Sequence, residues 1–127
     1  MRKSANQHYE AAKTLHDRQQ KAVAAYLFGL AAECAVKAIM DRSRIPGHSN
    51  RDSAYYAHFP DLRHQLQDVL AGRKSFNELK FATKDDFFAD WHISIRYAES
   101  GHVLALPNRY DRWFQNAKTA INAMAAL

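Results

Sequence analysis

The chain has 127 residues, enough for one domain with a single core, and its 47% hydrophobic and 12% aromatic content excludes disorder. One Cys excludes an intramolecular disulfide framework, and with four Gly and three Pro the remaining composition favours helix throughout. A net charge of +5 suits a polyanionic partner and equally serves solubility.

Ser4-Ala5-Asn6-Gln7 reads as a capping box opening a first helix, with Ala5, Tyr9, Ala12 and Leu15 or His16 at helical spacing. Asp17-Arg18-Gln19-Gln20 marks a break. The second helix, Gln20 to Arg42, is the strongest element. Val23, Leu27, Leu30, Cys34 and Ala38 line one face, and Phe28, Ala32, Ala35 and Ile39 line the opposite one, which predicts burial between neighbours. Cys34 reads as a small buried hydrophobe. Glu33 precedes Lys37 by one helical turn, the better orientation for a buried structural ion pair.

Pro46-Gly47 and Ser49-Asn50-Arg51-Asp52-Ser53 signal a loop. Pro60 fits the first turn of a third helix with Leu62, Leu66 and Val69 or Leu70 as its core face and Gly72 as its stop. Phe76, Leu79 and Phe81 anchor a less regular stretch. Thr83 then resembles an N-cap, with Asp85 and Asp86 in the first turn of a fourth helix. Phe87 or Phe88, Trp91, Ile95 and Ala98 form its apolar stripe, and Gly101 closes it. The last helix starts at Pro107-Asn108, with Tyr110, Phe114, Ala117, Ile121 and Met124 as its stripe. Leu27, Leu30, Phe114 and Ile121 are the expected core. The fold expectation is all-α, an up-and-down antiparallel helical bundle of four to five helices in one domain spanning residues 1–127. No signal peptide is visible after Met1-Arg2-Lys3-Ser4, and no apolar run reaches membrane-spanning length, so a cytoplasmic location without a membrane partner is expected.

Ala25-Tyr26-Leu27-Phe28-Gly29-Leu30-Ala31-Ala32-Glu33-Cys34-Ala35-Val36-Lys37 resembles the second-helix pattern of the HEPN superfamily, with Val36 in place of the usual Leu. His58-Phe59-Pro60-Asp61-Leu62 is similar to that family's third-helix entry, and Trp91 with Arg96-Tyr97 to its later helix. The resemblance covers most of the chain. It implies a helical bundle that dimerises and, in many members, cleaves RNA without a metal through an Arg followed four to six residues later by a His. Arg96 and His102 match that spacing, with Tyr97 where active members often carry a smaller polar residue.

The chemistry of the two side chains is consistent with that role. A guanidinium forks two hydrogen bonds onto a phosphate and stabilises charge building on its oxygens, while an imidazole moves protons near neutral pH. The expected reaction has the RNA 2′-hydroxyl as nucleophile, a 2′,3′-cyclic phosphate and a 5′-hydroxyl as products, and no action on DNA. Arg96 and His102 are therefore the expected catalytic pair, and Tyr97 is an expected base-stacking contact. Neither a metal nor another cofactor is expected, because His58, Asp61 and His64 share a helix side only loosely. The expected partners are RNA and a second copy of the chain, with an antitoxin or nucleotidyltransferase as a further partner in a toxin–antitoxin or defence setting. The alternative is a non-catalytic module that docks a nucleotidyltransferase or another subunit.

Overall fold

The computed structural model describes residues 1–71, 77–97 and 107–127, and all regular structure among them is helical. Helix α1 spans Arg2–Asp17, α2 Lys21–Arg42, α3 Asp61–Leu70 and α4 Pro107–Ala125. Short 3-10 turns cover Ala54–Tyr56, Asn77–Thr83 and Ile93–Tyr97.

The first helix begins two residues before Ser4, and no side chain caps it, so the expected capping box is not used. The expected break does occur. Gln19 takes φ 62°, and the chain reverses over Arg18–Gln20 into α2. Ala5, Tyr9 and Ala12 are buried against α2, where the Tyr9 and Phe28 rings meet at 6.1 Å. Small alanines at these positions let the two backbones approach.

Helix α2 is central and packs on both α1 and α4. Its buried residues include Ala24, Ala25, Phe28, Ala31, Ala32, Ala35, Val36, Ile39 and Met40, a wide face that covers more than half of its circumference. The remaining stripe departs from expectation. Val23 is 49% exposed, and Leu27, Leu30, Cys34 and Ala38 are only half-buried. By length and composition α2 could cross a membrane, contrary to the hydropathy expectation, and 61% of its most apolar window is buried inside this domain.

In α4 the stripe facing the core is Tyr110, Trp113, Ala117, Ala120 and Met124. Phe114 and Ile121 flank it and are half-buried, so none of the four expected core markers lies at the centre. Among the described residues the fully buried large side chains are instead Phe28, Phe59, Phe88, Trp91, Tyr110 and Trp113, with Ile39, Met40, Leu62, Leu66, Leu79 and Met124.

Among the described residues, the expected fourth helix after Thr83 does not form. Residues 84–90 are turns, with Phe88 at φ 53° and Asp90 at φ 64°, both outside the right-handed helical region. Long polar side chains from the neighbouring helices replace the helical hydrogen-bond ladder. Arg63 donates to the Phe87 carbonyl at 2.7 Å, Gln67 to the Thr83 carbonyl at 2.7 Å, and Trp113 to the Ala89 carbonyl at 2.9 Å. The Phe88 amide donates to Asn116 at 2.9 Å, and Arg109 pairs with Asp90 at 2.9 Å. This scaffold frees Phe87, Phe88 and Trp91 to point inward, where Phe59 stacks on Phe88 with centroids 5.2 Å apart. A continuous helix would have carried one of the adjacent Phe87 and Phe88 away from the core.

Candidate functional site

Arg96 ends a 3-10 turn, Ile93–Tyr97, rather than a helical C-terminus. That turn packs on α2, whose Tyr26 faces it. The Arg96 guanidinium is fully exposed and lies 4.6 Å from the centroid of the Tyr97 ring. Tyr97 is itself 76% exposed, so the pair projects together from the surface. The Tyr26 hydroxyl first, and the Tyr97 phenol second, hold the Arg96 proton more firmly than usual. Arg96 makes no ion pair among the described residues. An exposed guanidinium over the Tyr97 ring, without an ion-pair partner among the described residues, is suited to an incoming phosphate.

His102 lies outside the described residues. Tyr26 flanks the half-exposed stripe of Val23, Leu27, Leu30 and Cys34 on α2, so Arg96 and Tyr97 border that stripe. Burial pushes the Cys34 thiol up, which disfavours the thiolate and any nucleophilic use.

A second polar constellation was missed as a site in the sequence. Glu33, only 2% exposed, directs both carboxylate oxygens at the entry to α3. Oε1 lies 2.7 Å from His58 Nδ1, and Oε2 accepts from the Phe59 amide at 2.8 Å. The expected Glu33–Lys37 pair is therefore not made. Lys37 is half-buried, and desolvation lowers its pKa despite the favourable influence of Glu33. One turn of α2 separates the two residues, but the Glu33 oxygens engage His58 and the Phe59 amide instead. Proximity of Glu33 to the His58-Phe59-Pro60 entry was not available from spacing within α2; only the chain reversal at Pro46-Gly47 brings them together.

His58 is 46% exposed, and Arg51, Asp52, Ser53, Tyr56, Asp61 and His92 are among the residues that line the same surface cleft. Gly47 takes φ 122° in the loop that leads there, and the Ser53 hydroxyl donates to its carbonyl at 2.7 Å. His64 is not among the residues that line it. Among the described residues no group of three or more His, Cys, Asp or Glu is arranged to hold a metal ion.

Comparison with protein-family models, curated proteins and solved structures returns no match for this chain.

Proposed function

We propose that the domain is a HEPN-type, metal-independent endoribonuclease that acts as a cytoplasmic homodimer in a toxin–antitoxin or defence setting. The single observation that carries this reading is the placement of Arg96. Its guanidinium is exposed, lies over the Tyr97 ring and neighbours Tyr26, beside a stripe of α2 that is exposed at Val23 and only half-buried at Leu27, Leu30 and Cys34 among the described residues. An up-and-down bundle that buries this stripe against a second copy brings two Arg96–Tyr97 pairs toward one groove. In that groove Arg96 neutralises the scissile phosphate, His102 transfers protons, and Tyr97 stacks on a base. Two histidines, one from each chain, supply a base and an acid at once.

The same stripe supports a second reading, a binding module that docks a nucleotidyltransferase, an antitoxin or another subunit. Single-stranded RNA incubated with the protein in EDTA separates the two. The enzyme leaves 2′,3′-cyclic phosphate ends and spares a strand carrying 2′-deoxy sugars. A module leaves both strands intact.

A further inference from the structure

The cleft beside α3 has a volume of about 350 Å³. That is the lower end of the range for small-molecule sites, roughly 300–1,000 Å³, and it fits one long side chain better than a whole metabolite. Its charges run against those of the chain. Among the described residues, Asp52 and Asp61 line it against one cation, Arg51, and the buried Glu33 carboxylate stands behind His58 at 2.7 Å. The net charge of the chain is +5, yet here three carboxylates surround one guanidinium. The neutral His92 ring, whose Nδ1 accepts the Ser94 amide at 3.1 Å, adds no charge. Neither Asp52 nor Asp61 makes an ion pair among the described residues. Such a field attracts a cation and repels a phosphate.

The uncharged groups suit the same ligand. A carboxylate only accepts, so Glu33 keeps the proton of the neutral His58 ring on Nδ1 and leaves Nε2 as an acceptor. Glu33 is 2% exposed and His58 46%, so a buried carboxylate presets the accepting nitrogen of an accessible ring. The Tyr56 hydroxyl donates to the His48 carbonyl at 2.7 Å, which holds in place a phenol ring that is 52% exposed. Tyr56, His58 and Asp61 fall within six residues of one another at the entry to α3, where the Leu62 amide donates to the His58 carbonyl at 2.8 Å and closes the turn. An aromatic face, an acceptor nitrogen and a carboxylate on one short segment match a planar group rich in donors. A guanidinium stacks on aromatic planes, forks hydrogen bonds onto a carboxylate and is more weakly hydrated than an ammonium.

We propose that this cleft seats an arginine side chain of a partner polypeptide. The guanidinium packs on the Tyr56 ring and donates to the Asp61 carboxylate and to His58 Nε2, and Asp52 adds attraction at longer range. Glu33 is a positioning residue that keeps His58 an acceptor. The inference does not rest on the ribonuclease reading, because a basic segment docks here equally on an enzyme and on a binding module. The cleft is open and holds one side chain, so an isolated arginine binds weakly and the flanking residues of the partner supply the remaining affinity.

Titration of the ¹⁵N-labelled protein with acetyl-Gly-Arg-Gly-amide, followed in amide correlation spectra, tests the proposal. The peptide should shift amides between Arg51 and Gln65 and saturate, and the same tripeptide with Lys should bind several-fold more weakly. Asp61→Asn should weaken the Arg peptide by about 10-fold, through the loss of a charge-assisted hydrogen bond. His58→Lys, which puts a cation in place of the acceptor, should abolish binding. Both residues are exposed, so circular dichroism should not change. Absence of shifts in this segment, equal affinity for the Arg and Lys peptides, or an Asp61→Asn protein that binds as wild type does overturns the proposal. It is also overturned if a short single-stranded RNA displaces the peptide from the same amides, which assigns the cleft to nucleic acid. Shifts there that grow with protein concentration alone overturn it in favour of a second copy of the chain.

Discussion

The Trp91 indole occupies the space that a Cβ on Gly29 would fill, with the nearest ring atom 2.0 Å from that position. Its Nε1–H donates to the Ala25 carbonyl at 2.9 Å, one turn earlier on the same helix. The absence of a side chain at Gly29 thus seats the irregular 84–97 segment directly on α2. The Ile93–Tyr97 turn that carries Arg96 follows at once, so this contact sets where the candidate catalytic cation stands.

Gly29→Ala should therefore be destabilising, although alanine is the better helix former by about 1 kcal/mol. The displaced indole would cost roughly 1–3 kcal/mol as an overpacked core, which exceeds the propensity gain at its upper range. Urea unfolding monitored by tryptophan fluorescence measures the balance. A variant more stable than wild type would mean that Trp91 does not rest there.

Core truncations should follow the observed burial. Phe28→Ala and Trp113→Ala should each cost about 3–5 kcal/mol, because both side chains are fully buried. Leu30→Ala should cost less, since Leu30 is half-buried on the outer stripe. Chemical denaturation ranks the three. A Leu30→Ala cost equal to that of Phe28→Ala would contradict the orientation of α2.

These elements show what was legible in the sequence. The helical hairpin of α1 and α2 was, including the break at Asp17 to Gln20, because local periodicity and polarity suffice to mark a helix and its end. The orientation of α2 was not, because a helix apolar nearly all round has two faces of similar hydrophobicity. The missing helix after Thr83 illustrates a tertiary override. Thr83, Asp85 and Asp86 form a sound N-terminal signal, but the buried ring cluster and the side-chain bonds from Arg63, Gln67, Trp113 and Asn116 outweigh it. In the candidate site Arg96 was legible as a residue off the core stripes, whereas the exposure of Tyr97 was not, because a tyrosine at that spacing fits a core edge equally well. The Glu33–His58 contact was not, since it joins residues 25 positions apart through a loop of irregular geometry.

Tyr110 gives a pH prediction. Burial, then the nearby Asp111 charge, pushes its phenol from 10.0 up to about 12. Its hydroxyl also lies 2.7 Å from His16 Nδ1. The folded state holds this proton more tightly than the unfolded one, so the contribution is complete below pH 10.0 and is lost as pH rises toward about 12. Ultraviolet titration should show a late-ionising tyrosine that Tyr110→Phe removes, and Tyr110→Phe should flatten the alkaline loss of stability. Alkaline curves that coincide for the two proteins would remove Tyr110 as the cause.

The α2 stripe predicts assembly. Val23, at 49% exposure, continues the half-buried Leu27, Leu30 and Cys34, and burying this row against its symmetry mate would remove it from water. Light scattering should give a dimer at micromolar concentration, and Val23→Glu should yield a folded monomer. A wild-type protein that is monomeric under these conditions would leave the composite groove without a basis.

The central claim is that Arg96 and His102 cleave RNA together, and the most direct measurement is the cleavage rate of single-stranded RNA in EDTA by wild type, Arg96→Ala and His102→Ala. Arg96 is fully exposed, so its replacement should leave the unfolding midpoint in place. His102→Ala should slow cleavage by about 10²–10⁴-fold through lost proton transfer. Arg96→Ala should slow it by about 10²–10³-fold through lost charge stabilisation on the phosphate. Equal rates for the three proteins would contradict the account, and so would a wild-type activity that EDTA abolishes and a divalent metal restores.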